Sequence, residues 1–357
     1  MQLDCNHSGT APWKGAFSRR GFLGSLSVLA MSRPLLADEP KPSAIPVTAI
    51  NHIMIKASDP ARSLKWYQGL FGMPIVGRQA DTVILRVGDG PQFLAISDAA
   101  GAKPGIARLG LSTNNFDAKQ VMRTLDSHGV ASASKPAPMK AYLRMRGPKS
   151  GGAPDGTPEV FFGDPDGILF QLQDTSYCGG AGLLGNEGFK TPEPAPAAGL
   201  LAVHEFNHLT IFVTNSKRSV AFCQRLFGMP IDTYQGNMPI LRVGAGNQFL
   251  AFVGPTGLRP FIHHACLTVK RFDPDKILKT LKDYGVKSRG DKRGPDEPLQ
   301  SYVTMRMPNR GGAPGGTPEL YFTDPDGIRL QIQDMRYSGG SGYLGDVRGG
   351  KTKPGKE

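Results

Sequence analysis

Two histidines occupy equivalent places in a chain that repeats itself. His208 opens the run His208-x-x-Ile211-x-Val213, and His264 opens His264-x-x-Leu267-x-Val269, so each imidazole precedes its valine by five residues. A neutral imidazole at such a position either ligates a metal or handles a proton. The bland alternative is a half-buried histidine that satisfies strand-end backbone groups, and the paired placement leaves these readings even. Gln331 and Gln333 flank Ile332, as Gln171 and Gln173 flank Leu172. A period of two puts both amides of each pair on one face. That face lines a polar cavity or is the wet face of an edge strand. Since the first copy has these glutamines without the second histidine, they read as serving something both copies share. Glu159 and Glu319 each follow Thr-Pro and read as a general base or as a surface carboxylate at a strand end. Arg86 and Arg242 lie in the repeated Leu-Arg-Val-Gly and meet either an anionic substrate or solvent. Cys223, in a helix, and Cys266, in a strand, read as small core residues.

The elements that must hold these groups come from a duplication. Asn51-His52 recurs as Asn207-His208, Leu70-Phe71-Gly72-Met73-Pro74-Ile75 recurs at 226–231, and Gln92-Phe93-Leu94-Ala95 recurs at 248–251, an offset of 156. Past a four-residue insertion near Gly290 the offset is 160: Asp164-Pro165-Asp166-Gly167 recurs at 324–327, and Gln171 aligns with Gln331. In the second copy, strands are expected at 208–213, 240–243, 248–253, 265–269, 302–307, 319–323 and 328–333. Helices are expected at 217–227 and 274–284, each stopped by a glycine. The two halves of a copy also align weakly through the histidine runs above, so a copy is itself a pair of βαβββ units. The domain layout expected is a first module at 49–178, a Pro/Ala-rich linker at 186–204 that its composition makes stiff and extended, a second module at 205–337, and a Gly-rich basic tail at 338–357. The repeated Gly-Gly after Tyr177 and Tyr337 folds over a cup as a lid or is simply flexible.

Length and composition narrow the classes. A chain of 357 residues suits two domains. Gly (46) and Pro (30) make up about a fifth of it, which favours frequent turns over long helices. No apolar run reaches the ~18 residues of a membrane span. The net charge of +12 comes without an aromatic-interleaved basic patch, so nucleic acid is not an expected partner. Four cysteines without regular spacing exclude a disulfide framework and a cysteine zinc module. Ser18-Arg19-Arg20-Gly21-Phe22-Leu23-Gly24 precedes a short apolar stretch that ends at Ala37. Paired arginines there resemble a twin-arginine export signal spanning residues 1–37. Its removal takes away four basic residues and one acidic one, leaving +9, and places the protein in the periplasm or outside the cell.

Asn-His on a first strand, a helix ending Leu-Phe-Gly-Met-Pro and a late Asp-Pro-Asp-Gly, at matching places in both copies, resemble the vicinal oxygen chelate superfamily. That superfamily includes glyoxalase I, bleomycin- and fosfomycin-resistance proteins and extradiol ring-cleaving dioxygenases. The resemblance covers about 49–178 and 205–337. It implies an α+β fold in which each module is a cupped, mostly antiparallel sheet. It also implies a divalent metal that chelates two neighbouring oxygens of a small substrate. The superfamily's ligand positions map onto His208, His264 and Gln331 in the second module. Strand alternation selects His264 and turns His263 away. Gln stands where Glu is usual, which removes a negative charge from a site for a dication. In the first module the aligned set is His52, Arg108 and Gln171. The guanidinium at the second ligand position opposes a metal, so this module reads as a scaffold or an anion-binding module.

Three functions remain at this point. One is a metal-dependent dioxygenase, lyase or isomerase, with Fe, Zn, Mn or Ni in the second module, Glu319 as catalytic base, and Arg242 and Gln333 on the substrate. The second is a metal-free protein that sequesters a small ligand. The third is a structural module. Two copies in one chain can pair internally, so the expected state is a monomer or a homodimer.

Overall fold

A computed structural model describes residues 43–290 and 296–349. The twin-arginine segment and the end of the basic tail lie outside the described residues. The first module runs β1 (Val47–Ala57), α1 (Pro60–Phe71), β2 (Ile75–Gln79), β3 (Thr82–Arg86) and β4 (Phe93–Asp98). It continues β5 (Gly105–Thr113), α2 (Ala118–Ser127), β6 (Ala131–Ser132), β7 (Lys140–Arg146), β8 (Thr157–Gly163) and β9 (Leu169–Asp174). The second repeats this as β10 (Val203–Phe212), α3 (Ser216–Phe227), β11 (Ile231–Gln235), β12 (Met238–Arg242) and β13 (Phe249–Val253). It ends with β14 (Phe261–Val269), α4 (Pro274–Asp283), β15 (Lys287–Ser288), β16 (Gln300–Arg306), β17 (Thr317–Thr323) and β18 (Arg329–Asp334). The fold is α+β, two tandem modules each built from two βαβββ-like halves.

Local chemistry sets the helix ends. Asp59 accepts a hydrogen bond from Arg62 N at 3.0 Å, with Pro60 in the first turn. Asn215 does the same for Arg218 N in the second copy. Both helices stop at a left-handed glycine, Gly72 and Gly228.

Each module forms a nine-stranded sheet. In the first, β1 pairs parallel with β4 and antiparallel with β5, while β5 pairs parallel with β9. The hairpins β2–β3–β4 and β7–β8–β9 extend the sheet on either side. The second module has the same pairings. Its β14 meets β5 at Ile262 and Ile106, and this joins the two sheets. One face of each sheet packs on its helices, and one apolar cluster runs through both modules. The other face curls into a cup with a small cluster of its own: Phe93 and Tyr177 in the first module, Phe249 and Tyr337 in the second.

Two repeated motifs tie the modules together. Gln92 donates to Ile50 O (2.7 Å) and accepts from Phe206 N (2.9 Å). Gln248 donates to Phe206 O (2.6 Å) and accepts from Ile50 N (2.7 Å). Each Asp-Pro-Asp-Gly turn reaches the other module through its second aspartate: Asp166 pairs with Arg218, and Asp326 with Arg62. The linker expected to be simply extended is docked on the edge of the first module. Ile75 and Glu193 exchange two backbone hydrogen bonds, and Arg78 pairs with Glu193 at 2.8 Å.

Candidate metal centre

Three central strands carry the second module's predicted ligands. His208 lies on β10 opposite Cys266 of β14, and Cys266 is in register with Gln331 of β18. Residues in register share a face, so His208, Cys266 and Gln331 all look into the cup. All three are buried, as are His264 and Gln333. The alternative of a wet edge strand for the glutamines is therefore overturned: β18 is flanked by β14 and β17. Cys266 belongs to the cup face rather than the helix-packed core. Burial raises its thiol well above the usual range, so it is a neutral thiol.

The expectation that His263 faces away fails for a local reason. The β10–β14 register shifts between Thr210/His264 and Ile211/Ile262, leaving His263 as an extra residue. A bulge of this kind breaks the alternation of side chains. Nδ1 of His263 and Nδ1 of His264 lie 2.8 Å apart, and the His263 ring stacks on Phe212 with centroids 4.2 Å apart. This leaves Nε2 of His264, which is buried and has no hydrogen-bond partner.

His208 is held on three sides. Its ring stacks on Phe249 at 4.3 Å. Its Nδ1 is 2.7 Å from Asn207 Oδ1, and Asn207 Nδ2 donates to Tyr337 O at 2.7 Å. The Asn207 amide is thereby oriented with its oxygen towards the ring, so Nδ1–H is the donor. Burial pushes His208 down to about 3, and its ring is neutral at pH 7. Nε2 then carries a lone pair, and it faces Gln331 Oε1 at 2.9 Å. Two facing lone pairs are satisfied by a cation between them, or by rotating the amide to donate. The His208 and His264 rings meet edge to face with centroids 5.4 Å apart. Burial first, then the repulsion that a proton on it would meet from His263, His208 and Arg329, also holds His264 well below its ordinary value.

The predicted residues are thus neighbours on the cup face: His208 Nε2 faces Gln331 Oε1, and the His264 ring lies against that of His208 with its Nε2 orphaned in the interior. That set fits a borderline divalent ion. It contains no carboxylate, and among the described residues no group of three His, Cys, Asp or Glu is arranged to hold a metal. Any metal here depends on Gln331.

The other predicted site residues lie elsewhere. Glu319 is not a surface carboxylate but a buried one. Arg306 donates to Oε1 at 2.7 Å, Tyr337 to Oε1 at 3.0 Å and Tyr321 to Oε2 at 3.2 Å. Both oxygens are engaged, so the geometry makes Glu319 the counter-ion of Arg306 rather than a free base. Arg306 also clamps the tail, donating to Gly311 O and Gly340 O; the repeated Gly-Gly segment is ordered against the floor of the cup. Arg242 pairs with Asp232 at 3.4 Å near the end of β12. Gln333 donates to Pro318 O at 3.2 Å, and its oxygen has no partner.

In the first module, His52 repeats the pose of His208. It stacks on Phe93 at 4.4 Å, contacts Asn51 Oδ1 at 2.7 Å and faces Gln171 Oε1 at 3.1 Å. Arg108 stands near it in place of His264. Burial first, then the Arg108 charge, keeps His52 well below its ordinary value. Gly110 takes the place of Cys266, and a Cβ there would lie 2.1 Å from His52 Cε1. Glycine there leaves room for the His52 ring as it is placed. The residues that sequence reasoning missed are the two histidine-stacking phenylalanines and the two clamping glutamines. All four belong to the repeated Gln-Phe-Leu-Ala, whose recurrence was the available signal.

Two tandem modules, each a pair of βαβββ-like halves around a polar cup, set the class of fold. The family model for the Glyoxalase/Bleomycin resistance protein/Dioxygenase superfamily matches residues 49–172 and 205–332, and the chain belongs to that superfamily. Among solved structures it resembles a Mn(II)-bound glyoxalase from Novosphingobium aromaticivorans at 17% identity, covering 81% of this chain and 82% of that one, TM-score 0.54. It also resembles homoprotocatechuate 2,3-dioxygenase from Brevibacterium fuscum, solved as an anaerobic substrate complex, at 14% identity, 83% of each chain and TM-score 0.54. A catechol 2,3-dioxygenase matches at 14% identity, 84% of this chain and 89% of that one, TM-score 0.53. At these identities the likeness is one of fold. No curated protein matches the sequence.

Proposed function

We propose that the second module is a metal-dependent site for a small substrate with two neighbouring oxygens, the metal held by His208, His264 and Gln331. The observation that carries this is the orphaned, buried Nε2 of His264 beside the Nε2 of His208 that faces Gln331. A bound divalent ion would supply Lewis-acid chemistry at those oxygens. The chain's own groups do the rest. Phe249 and Asn207 fix the tautomer and angle of His208. The buried cup keeps both imidazoles uncharged, so binding a metal displaces at most the one ring proton of His264. Tyr321 and Tyr337 stay protonated, raised by burial and by Glu319, so they are hydrogen-bond donors rather than bases. Ring cleavage with O2 and isomerisation or lyase chemistry are both compatible with this set.

The competing reading, a metal-free ligand-sequestering protein, is favoured by the missing carboxylate. Metal analysis of the purified, folded protein separates them. The proposal expects about one tightly bound divalent ion per chain; none after loading with Fe(II), Mn(II), Ni(II) and Zn(II) in turn supports the binder. Oxygen uptake with ortho-diphenols on the loaded protein then tests the dioxygenase branch. We further propose twin-arginine export, supported by Arg19-Arg20 and the short apolar stretch after them. Replacing both arginines by lysine should strand the protein in the cytoplasm, and unchanged fractionation contradicts this.

A further inference from the structure

We propose that the cup of the first module is a binding site for a small oxyanion, a carboxylate or a phosphate. The cup holds a cavity of about 200 Å³ lined by Met54, Gln79, Thr82, Arg108, Arg144 and Arg146, among others. Arg146 is structural. Its Nε donates to Glu159 at 2.8 Å, and its other nitrogens donate to Gly151 O and Gly180 O at 2.6 Å each. Arg306 does the same with Glu319, Gly311 and Gly340, so this part is common to both copies.

Around the glutamate, two cations are added and two hydroxyls, those of Thr304 and Tyr321, are lost. Arg144 takes the strand position of Thr304, each opposite the buried glutamate. Phe161 takes the position of Tyr321, so no phenol reaches the second oxygen of Glu159; Arg144 bonds it instead. Arg108 takes the position of His264. Its guanidinium lies over the Phe161 ring, 5.4 Å from the centroid, with Arg144 over the same ring at 5.0 Å. Glu159 is already bonded by Arg144, Arg146 and Tyr177. Among the described residues Arg108 has no ion pair and no side-chain hydrogen bond, and its buried Nε has no partner. The residue is only 7% exposed.

A buried guanidinium without a counter-ion is costly to fold. An oxyanion in the cavity removes that cost, since the planar fork of arginine matches carboxylate and phosphate oxygens in pairs. The three arginines and Glu159 leave the cup at +2 before a ligand enters. Gln79 and Thr82 add neutral polar side chains to the lining, and Met54 adds an apolar wall for a short organic body. The volume suits a free small anion and not a nucleotide.

The test titrates inorganic phosphate, acetate and propanoate separately into the full chain by calorimetry. Wild type, Arg108→Met, Arg144→Gln and His264→Ala are compared. The expected result is saturable binding of at least one anion at millimolar concentration or below, raising the melting temperature of wild type. Arg108→Met should weaken it by about thirtyfold or more, as loss of one partner of a buried charge pair does. Arg144→Gln should weaken it less, and His264→Ala should leave it unchanged. Phosphate alone binding assigns a phosphoryl group, and the acids alone assign a carboxylate. No binding of any of the three at tens of millimolar overturns the proposal, as does unchanged affinity in Arg108→Met. Should that variant fail to fold, unchanged affinity in Arg144→Gln together with no anion-dependent rise in wild-type melting temperature overturns it equally. Metal content measured on the same samples keeps this result separate from the second module's site.

Discussion

The two modules share a backbone, a stacked histidine, a facing glutamine and a buried Arg–Glu–Tyr floor, yet one strand position beside the histidine carries a neutral imidazole in one and a guanidinium in the other. In the second module that position, His264, presents to the cup a neutral imidazole whose buried Nε2 has no hydrogen-bond partner. In the first it is Arg108, a buried cation whose Nε has no hydrogen-bond partner. On the two proposals above, one scaffold would hold a cation in one cup and an anion in the other. The lesson is that the shared glutamines and histidines would not define a metal site by themselves. His52 and Gln171 repeat the pair at nearly the same separation as His208 and Gln331, and the neighbouring group decides what the pair can hold.

The largest effect should come from removing the one imidazole that Asn207 and Phe249 position. His208→Ala should weaken metal binding by more than about a hundredfold, since even supporting residues of metal sites cost ten- to a hundredfold. The matched His52→Ala should leave metal content unchanged. Equal losses in both would erase the distinction between the modules. Next comes Gln331→Glu, which restores an anionic oxygen and should tighten binding by about tenfold or more. Weaker or unchanged affinity would mean that Gln331 is not a ligand.

A smaller difference tests the cup walls. Gly110→Ala places a methyl 2.1 Å from the His52 ring and should cost about 1–3 kcal/mol by overpacking. Cys266→Ala only trims the equivalent side chain and should cost about 1.5 kcal/mol or less. Denaturant unfolding measures both, and the reverse order would show that the rings do not lie where described.

The pH dependence should be the smallest contrast. His208 and His263 are lowered to about 3, and His264 well below its ordinary value, all chiefly by burial. Their neutral forms are favoured by folding. That stability is present above the unfolded value near 6.5 and is lost as pH falls from there towards 3. Asp164 and Asp324, raised to about 6 by burial, act oppositely between about 4 and 6. In metal-free protein, His264→Gln should flatten the acid-side loss by up to about 1.4 kcal/mol per pH unit. The same slope in variant and wild type would contradict a neutral His264.

Much of this was legible in the residues. Repeats at fixed offsets set the two modules, and the matched runs from His208 and His264 set the strand positions of the proposed ligands. Three features were not legible, each because it is non-local. The bulge that brings His263 beside His264 breaks the alternation on which the choice between them was based, and a bulge leaves no mark in the residue pattern here. Glu319 looked like a strand-end surface group because its partner Arg306 lies on the neighbouring strand. The cup-facing place of Cys266 followed from a register that the sequence leaves open. The twin-arginine segment is a sequence inference alone.

The most direct test exchanges the residues at the position where the modules differ. Divalent ions bound per chain are counted after saturation and desalting in wild type, His264→Arg and Arg108→His. The account predicts about one ion in wild type, none in His264→Arg, and a second, weaker ion in Arg108→His, where His52, position 108 and Gln171 would complete the set. Retention of the ion in His264→Arg would contradict it.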